Sequence, residues 1–343
     1  MRRKYIAMAT SAASAAAYPI AAAAASAVST RSGHLLVADF DGTCTMFDTT
    51  PIVPHLAAHF SAEPETVLAR FQTLEESYFE LLSECKDELE VSEEVIGGYD
   101  AAGLEASLLA MDNVSNVITE QLSRSGILAG IRAAEVAPVL SAWRADPSAA
   151  PVRVPELREG CDATLASASA RDWQLAILSL NWCPPLIHAM LPVLEASAPP
   201  PAPVWSNRIE EASGTVANEV NGAGAKRAVI ERLVQSACEQ AAQCVNGAEG
   251  SAAETSRVPR VVYIGDSATD LLAMLSADIG ILIGESQSAR DYCRRFGVTI
   301  HPLSEAKSKG VGSFAALCEA GASAEALVWE AASWDEVRHC LEL

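Results

Sequence analysis

Leu35-Leu36-Val37-Ala38 runs straight into Asp39-Phe40-Asp41-Gly42-Thr43, an apolar strand that ends in two carboxylates two residues apart. Successive strand residues point to opposite faces, so Asp39 and Asp41 point the same way. Two like charges on one side repel, and taking them out of water costs several kcal/mol unless something compensates. A divalent cation is the natural compensation, and Mg²⁺ favours a few carboxylate oxygens together with a substrate phosphate. Read alone, the stretch is equally a strand followed by an Asp-Gly turn.

Three further signals follow in order, each at the edge of an expected strand or helix. Leu175-Ala176-Ile177-Leu178 ends in Ser179, a hydroxyl at the carboxyl end of a second buried strand. Lys226 opens an expected helix over 226–234, after Gly222 and Gly224. Val261-Val262-Tyr263-Ile264 then leads into Gly265-Asp266-Ser267-Ala268-Thr269-Asp270. With a helix starting near Ser267, Asp266 lies at its mouth and Asp270 about one turn further in. Singly, Ser179 reads as a helix cap, Lys226 as a solvated helix residue and Gly265-Asp266 as a turn. Jointly they fall at the end of a parallel sheet where open α/β folds bind ligands. Nucleophile, hydroxyl, lysine and acidic pair in this order resemble the haloacid dehalogenase superfamily. That resemblance implies an α/β fold, a Rossmann-like parallel sheet carrying a mainly helical cap inserted after the first motif.

The resemblance also implies a chemistry, since phosphoryl transfer is mostly positioning and neutralisation of spread negative charge. Asp39 would attack phosphorus and form an aspartyl-phosphate. Asp41 would protonate the leaving oxygen and later deprotonate the water that releases phosphate. Ser179 and Lys226 would hold the phosphoryl oxygens. Asp39, Asp266 and the backbone carbonyl of Asp41 would hold Mg²⁺, with Asp270 orienting the metal's surroundings or Lys226. Dehalogenases of the superfamily lack an aspartate at the position of Asp41, so a phosphatase is expected.

Longer stretches are similar to the phosphatase domain of plant thiamin-monophosphate phosphatases: Asp39 to Thr45 with Asp48-Thr49-Thr50, Val262 to Ser267 continuing through Asp270-Leu271-Leu272 to Ile281, Leu178-Ser179 with Trp182-Cys183, and residues 123–130. Trp329 to Val337 has a counterpart there too. The resemblance covers most of residues 34–343. The plant proteins carry a fused thiaminase II-like (TenA-type) domain for which this chain leaves no room, so aminopyrimidine salvage is not expected. Gly42 departs from the plant pattern, where a bulkier residue is expected.

The chain has 343 residues, half of them hydrophobic, enough for one medium domain with a large insertion or for two domains. Its net charge is −20, a poor match for nucleic-acid phosphates. The same charge repels phosphate esters at long range, so a local positive centre is needed, and a substrate that carries its own cation suits an acidic cleft. Nine cysteines are dispersed without CxxC spacing, consistent with reduced thiols in the cytosol or an organelle. Cys44 and Cys183, beside the Asp39 and Ser179 loops, read as small packing residues. Residues 1–33 contain no acid, have Arg2-Arg3-Lys4 near the start and are dominated by Ala and Ser, the composition of an organellar transit peptide, chloroplast or mitochondrial, with a disordered tail as the alternative. Serines and Pro19 interrupt that stretch, which argues against a secretory signal or membrane span.

The interval between Asp41 and Ser179 far exceeds a simple crossover and is helical in pattern over 63–86, 92–96, 101–125 and 128–143. In the third, Leu104, Leu108, Leu109, Met111 and Val114 follow the spacing of a buried helix face. The expected division is a core of 34–50 and 156–343 with a cap of 51–155, which would close over the phosphate and exclude water. A helix is expected over 160–169, and core strands over 204–209, 279–283 and 298–300. The segments 196–203 and 246–257 read as surface insertions. Trp182 is placed either to stack on a flat cationic heterocycle or to fill the interface between cap and core. Asp48, Thr49 and Thr50 are read as leaving-group contacts or a helix cap. Glu75 and Tyr78 are left unplaced. The expected function is hydrolysis of thiamin monophosphate. The alternatives are another small phosphate ester (nucleotide, sugar phosphate or phosphoserine-like), phosphoryl transfer to an acceptor alcohol, and a non-catalytic binding protein.

Overall fold

The computed structural model describes Ile20 and residues 34–90, 98–196, 201–247, 260–308, 314–323 and 326–343. In chain order the elements are β1 (His34–Ala38), α1 (Ile52–Phe60), α2 (Pro64–Glu90), α3 (Ala101–Ser125), α4 (Ala133–Ala145), α5 (Cys161–Ala170), β2 (Gln174–Leu178), α6 (Pro184–Met190), α7 (Val193–Ala196), β3 (Val204–Trp205), β4 (Arg208–Ile209) and β5 (Val216–Ala217). After these come α8 (Ala223–Gly247), β6 (Arg260–Gly265), a 3₁₀ turn (Ala268–Asp270), α9 (Leu271–Ser276), β7 (Ile279–Ile283), α10 (Gln287–Phe296), β8 (Thr299–Pro302), α11 (Glu305–Ser308), α12 (Phe314–Ser323), β9 (Leu327–Ala331) and α13 (Trp334–Cys340).

Seven strands form one parallel sheet in the order β3-β2-β1-β6-β7-β9-β8. The α/β class expected from the sequence stands. Buried on both faces, such strands are near-continuous apolar runs, as β1, β6 and β7 are. Alternate residues serve opposite cores: Leu36, Ala38 and Ile264 face one cluster with Trp334, and Leu35, Val37 and Tyr263 face the other with Leu108 and Val229. From β1 the chain reaches β2 on one side and β6 on the other. The junction of β1 and β6 is therefore the switch point at which open α/β sheets bind ligands.

Helices α1 to α4 occupy the interval between the first two strands and share both cores with the sheet. On α2, Phe71 and Leu74 pack on the first cluster, Tyr78 and Leu81 on the second. One helix thus bridges the two faces. The α3 bounds match the sequence expectation, because Asp100 accepts from Gly103 N–H at 2.9 Å and Gly126 ends the helix at φ 66°. Leu104, Leu108, Met111 and Val114 are buried as the spacing predicts, and Leu109 is half-buried. Three expectations are corrected. The helix expected from 128 starts at Ala133, since Gly126 and Gly130, both at positive φ, interrupt the backbone. The strand expected over 204–209 is split, because Asn207 turns inward to donate to Leu180 O and Val220 O, both at 2.9 Å. Its second half, β4, pairs antiparallel with β5 outside the main sheet. The helix expected to open at Lys226 begins at Ala223. Strand β9 carries no expectation from the sequence. The expected helix over 92–96, and residues 1–33 apart from Ile20, lie outside the described residues.

The C-terminal helix α13 reaches the first motif through Trp334, fully buried, whose Nε1 donates to Thr43 O at 2.9 Å. Trp334→Phe leaves that carbonyl without its donor and is expected to lower the unfolding free energy by about 1–3 kcal/mol in urea titration.

Candidate active site

Asp39 follows β1 with its N–H donating to Ile264 O at 2.8 Å, and Ser179 follows β2 with its N–H donating to Trp205 O at 2.9 Å. Asp266 follows β6, so three polar side chains emerge at the same carboxyl edge. Lys226 comes from the first turn of α8 and is 1% exposed. Its Nζ lies 3.0 Å from Asp39 Oδ1 and 2.7 Å from Asp270 Oδ1. Burial alone would lower the ammonium's pKa, but Asp270 and Asp39 outweigh it and the net shift is upward.

The start of α8 is held by a residue the sequence did not mark. Asp112, on α3, accepts from Ala223 N–H at 2.9 Å and Gly224 N–H at 3.0 Å. Gly222 makes that approach possible: its φ is +135°, and a Cβ there would fall 2.0 Å from Asp112 Oδ1. Burial pushes Asp112 up to about 6 against those two donors. Arg227 adds an ion pair with Glu105 of α3 at 2.7 Å. The helix carrying Lys226 is thus fixed from the helical insertion.

The acids divide by what they touch. Asp270 Oδ1 accepts from Lys226 and from Tyr263 Oη at 2.6 Å, while Oδ2 accepts from Ser267 N–H at 3.1 Å and Ser267 Oγ at 2.7 Å. A carboxylate offers about four lone-pair sites, and four donors occupy them here. Burial would raise Asp270, but Lys226, Tyr263 and Ser267 hold it below the ordinary range. Oxygens of Asp39, Asp266 and Asp270 lie within 4.8 Å of one another. Burial raises Asp39 well above the usual range; Lys226 opposes it, and Asp270, Asp266 and Asp41 add to it. Burial and then the Asp270 charge push Asp266 up to about 7, against a Thr43 Oγ1 donor at 3.1 Å. Three clustered carboxylates thus share one ammonium. Asp270 is spent on its donors, and Asp39 and Asp266 keep lone pairs for a divalent cation, a donor set that suits Mg²⁺. Gly42, at φ +71°, lets the first-motif loop close on them, since a Cβ there would fall 2.3 Å from Asp266 Oδ2.

Asp41 is held apart from this cluster. Its Oδ1 accepts from Thr49 N–H at 2.7 Å and Thr49 Oγ1, and its Oδ2 from Asn181 Nδ2 at 2.9 Å. Burial, with the Asp48 charge, pushes the carboxyl up to about 6 against these donors. Asp39, Asp41, Ser179, Lys226, Asp266 and Trp182 line one cavity of about 460 Å³, and Asp270 sits behind Lys226. Phe71, Glu75 and Tyr78 of α2 line the same cavity, together with Asp48. Trp182 both borders the cavity and packs against Phe71 with ring centroids 6.5 Å apart. Burial raises the Cys183 thiol to about 12 and Cys44 well above its ordinary value, so both pack as thiols. Reading from sequence missed Thr43, Asp112, Asn181 and Tyr263. Only the Gly222/Gly224 pair hinted at a close partner for α8.

No protein-family model matches the chain. The "Bifunctional TH2 protein, mitochondrial" of Arabidopsis thaliana is 25% identical over 290 residues, covering 78% of this chain and 42% of that protein. The chain therefore spans less than half the length of that relative. Among solved structures, cytosolic 5′-nucleotidase IIIB bound to cytidine aligns with a TM-score of 0.44 and 13% identity over 94% of this chain and 88% of that one. A phospho-aspartyl intermediate analogue of phosphoserine phosphatase aligns with a TM-score of 0.39 and 13% identity over 76% and 91%. The chain resembles the haloacid dehalogenase superfamily in its motifs and a plant TH2 protein over most of its length.

Lys226→Met would leave buried carboxylates with no neutralising partner. In chelator it is expected to lower the unfolding free energy by about 3–5 kcal/mol, read by urea titration.

Proposed function

We propose that this chain is a Mg²⁺-dependent phosphomonoesterase that hydrolyses thiamin monophosphate to thiamin and phosphate through an aspartyl-phosphate. The observation that carries the reading is the joint placement of Asp39, Asp41, Ser179 and Lys226 around one cavity at the sheet's switch point. An Asp39 carboxylate oxygen attacks phosphorus, and the bond to the ester oxygen breaks as Asp41 gives that oxygen its proton. Asp41, now a carboxylate, takes a proton from the water that attacks phospho-Asp39, and phosphate leaves. A carboxyl poised near 6 suits both tasks close to neutral pH. The Ser179 hydroxyl and the Lys226 ammonium hold the phosphoryl oxygens. Asp39, Asp266 and the Asp41 carbonyl hold Mg²⁺, which when bound offsets charge on the phosphoryl group and the acids. Asp270 orients Lys226 from behind.

The substrate reading is supported by the motif resemblance and by the cavity wall. Beyond Lys226 the lining offers carboxylates, Asp48 and Glu75, and aromatic faces, Phe71, Tyr78 and Trp182. Such a wall favours a flat ring that carries positive charge, as a thiazolium does. In this reading α2 and α3 belong to a cap over 51–155, and residues 1–33 direct the protein to an organelle. The relative's name places that protein in mitochondria. Among the described residues, no helix is long and apolar enough to cross a membrane.

The test is phosphate release with Mg²⁺ across a panel of small phosphate esters. Thiamin monophosphate is expected to be preferred, chelation to abolish turnover, and Asp39→Asn to lower it by about 10³-fold or more. Preference for a nucleotide or sugar phosphate would keep the chemistry and overturn the substrate. Glu75→Gln and Trp182→Ala are each expected to raise KM for thiamin monophosphate by about 3–10-fold and to leave KM for an ester with an uncharged alkyl leaving group unchanged.

A further inference from the structure

Asn181 is the second residue after Ser179 and is 2% exposed. Its N–H and both ends of its side-chain amide are engaged. Its N–H donates to Ser179 Oγ at 3.1 Å, and its Oδ1 accepts from Cys183 N–H at 2.9 Å. Its Nδ2 donates to Asp41 Oδ2 at 2.9 Å and to Thr49 Oγ1 at 3.0 Å. The Cys183 N–H needs an acceptor, so the amide's oxygen faces that turn and its two donors face Asp41 and Thr49. Thr49, fully buried, grips the other Asp41 oxygen through both its N–H and its hydroxyl. A carboxyl held on both oxygens cannot rotate about its last bond without giving up a buried hydrogen bond.

We propose that Asn181 is a positioning residue for proton transfer: it fixes the Asp41 carboxyl relative to the Ser179 loop, so that the acid stays aligned with the leaving oxygen of a phosphoryl group seated on that loop. The inference rests on the phosphatase reading above. Asp41 lies on the loop after β1 and Ser179 on the loop after β2, and Asn181 is bonded to both. Ser179 Oγ accepts from Asn181, which leaves the hydroxyl's own proton to donate to a phosphoryl oxygen. The acid's displacement by about 1 Å can cost about 10²-fold in rate, and the loss is confined to steps in which a proton moves. In the first step Asp41 loses its proton to the ester oxygen while the phosphorus–oxygen bond breaks and the Asp39–phosphorus bond forms. A nitrophenolate leaves without that proton; an alkoxide does not.

The experiment compares kcat/KM, which reports the steps through formation of phospho-Asp39, for an alkyl phosphate and for p-nitrophenyl phosphate. Asn181→Asp keeps the side chain's size and the acceptor for Cys183 N–H but replaces the donor facing Asp41. The expected result is a loss of about 10²-fold on the alkyl ester with p-nitrophenyl phosphate left within about threefold of wild type. Thr49→Val, which removes the hydroxyl shared by Asp41 and Asn181, is expected to show the same selectivity at about tenfold, and decides the matter should Asn181→Asp not fold. Equal losses on both esters, or none on the alkyl ester, would overturn the inference and leave the phosphatase reading standing. Wild-type protein without Asp39-dependent turnover of either ester would overturn both.

Discussion

One buried ammonium holds this site together. Lys226 stands among carboxylates drawn from β1 and from the turn after β6, at a depth where an unpaired charge of either sign costs several kcal/mol. Its own upward shift and the downward shift of Asp270 are two faces of one attraction. The rest of the architecture keeps that charge in place. Helix α8 must begin where it does, so Gly222 turns through a positive φ and Asp112 meets the first N–H groups of the helix. Asp112 belongs to α3, which is why the helical insertion shares a core with the sheet instead of standing clear of it.

The surrounding acids then sort themselves by supply of donors. Asp270 is saturated, with Lys226 among its four donors. Asp39 and Asp266 are under-supplied and raised by burial, an electrostatic deficit that a divalent cation would fill. Asp41 has a separate set of donors and a carboxyl near 6. In the proposed reading, neighbouring carboxyls driven apart by their environments let one site hold an acid, a nucleophile and ligands together. The division follows from which backbone and hydroxyl donors each loop brings, since the four side chains are chemically identical.

Much of this was legible because it is local. The apolar runs of β1, β2, β6 and β7 declare a parallel sheet, and Asp39, Ser179 and Asp266 each follow a strand directly. Helix α3 has both its period and its stops written in sequence, Asp100 before it and Gly126 after it. Apart from the helix start displaced by Gly126 and Gly130, what failed needed partners elsewhere along the chain. The segment over 204–209 begins and ends with strand-like residues, Val204, Trp205 and Ile209, yet Asn207 between them finds Leu180 and Val220 and breaks the run. Asp112 carries no signal of its own in the sequence, because its partners lie more than a hundred residues away. Asn181 is invisible for the same reason, since its value lies in bonding two loops that only the folded sheet brings together.

Under the proposed function, the charge of the whole chain bears on which ester can enter. A net charge of −20 repels a dianionic phosphate at distances up to the Debye length, about 8 Å at physiological salt. Lys226 cannot act as an external lure, because it is buried and its charge is already met by Asp39 and Asp270. In the proposed reading Mg²⁺ would supply positive charge beside Asp39 and Asp266, and the substrate's other end can add attraction of its own. Glu75 and Asp48 face the cavity beside Phe71, Tyr78 and Trp182, so a cationic ring gains there the attraction that its phosphate forgoes. An ester with a neutral or anionic leaving group meets the same repulsion without that return. An acidic body around a phosphate site is therefore coherent when the phosphate arrives attached to a cation.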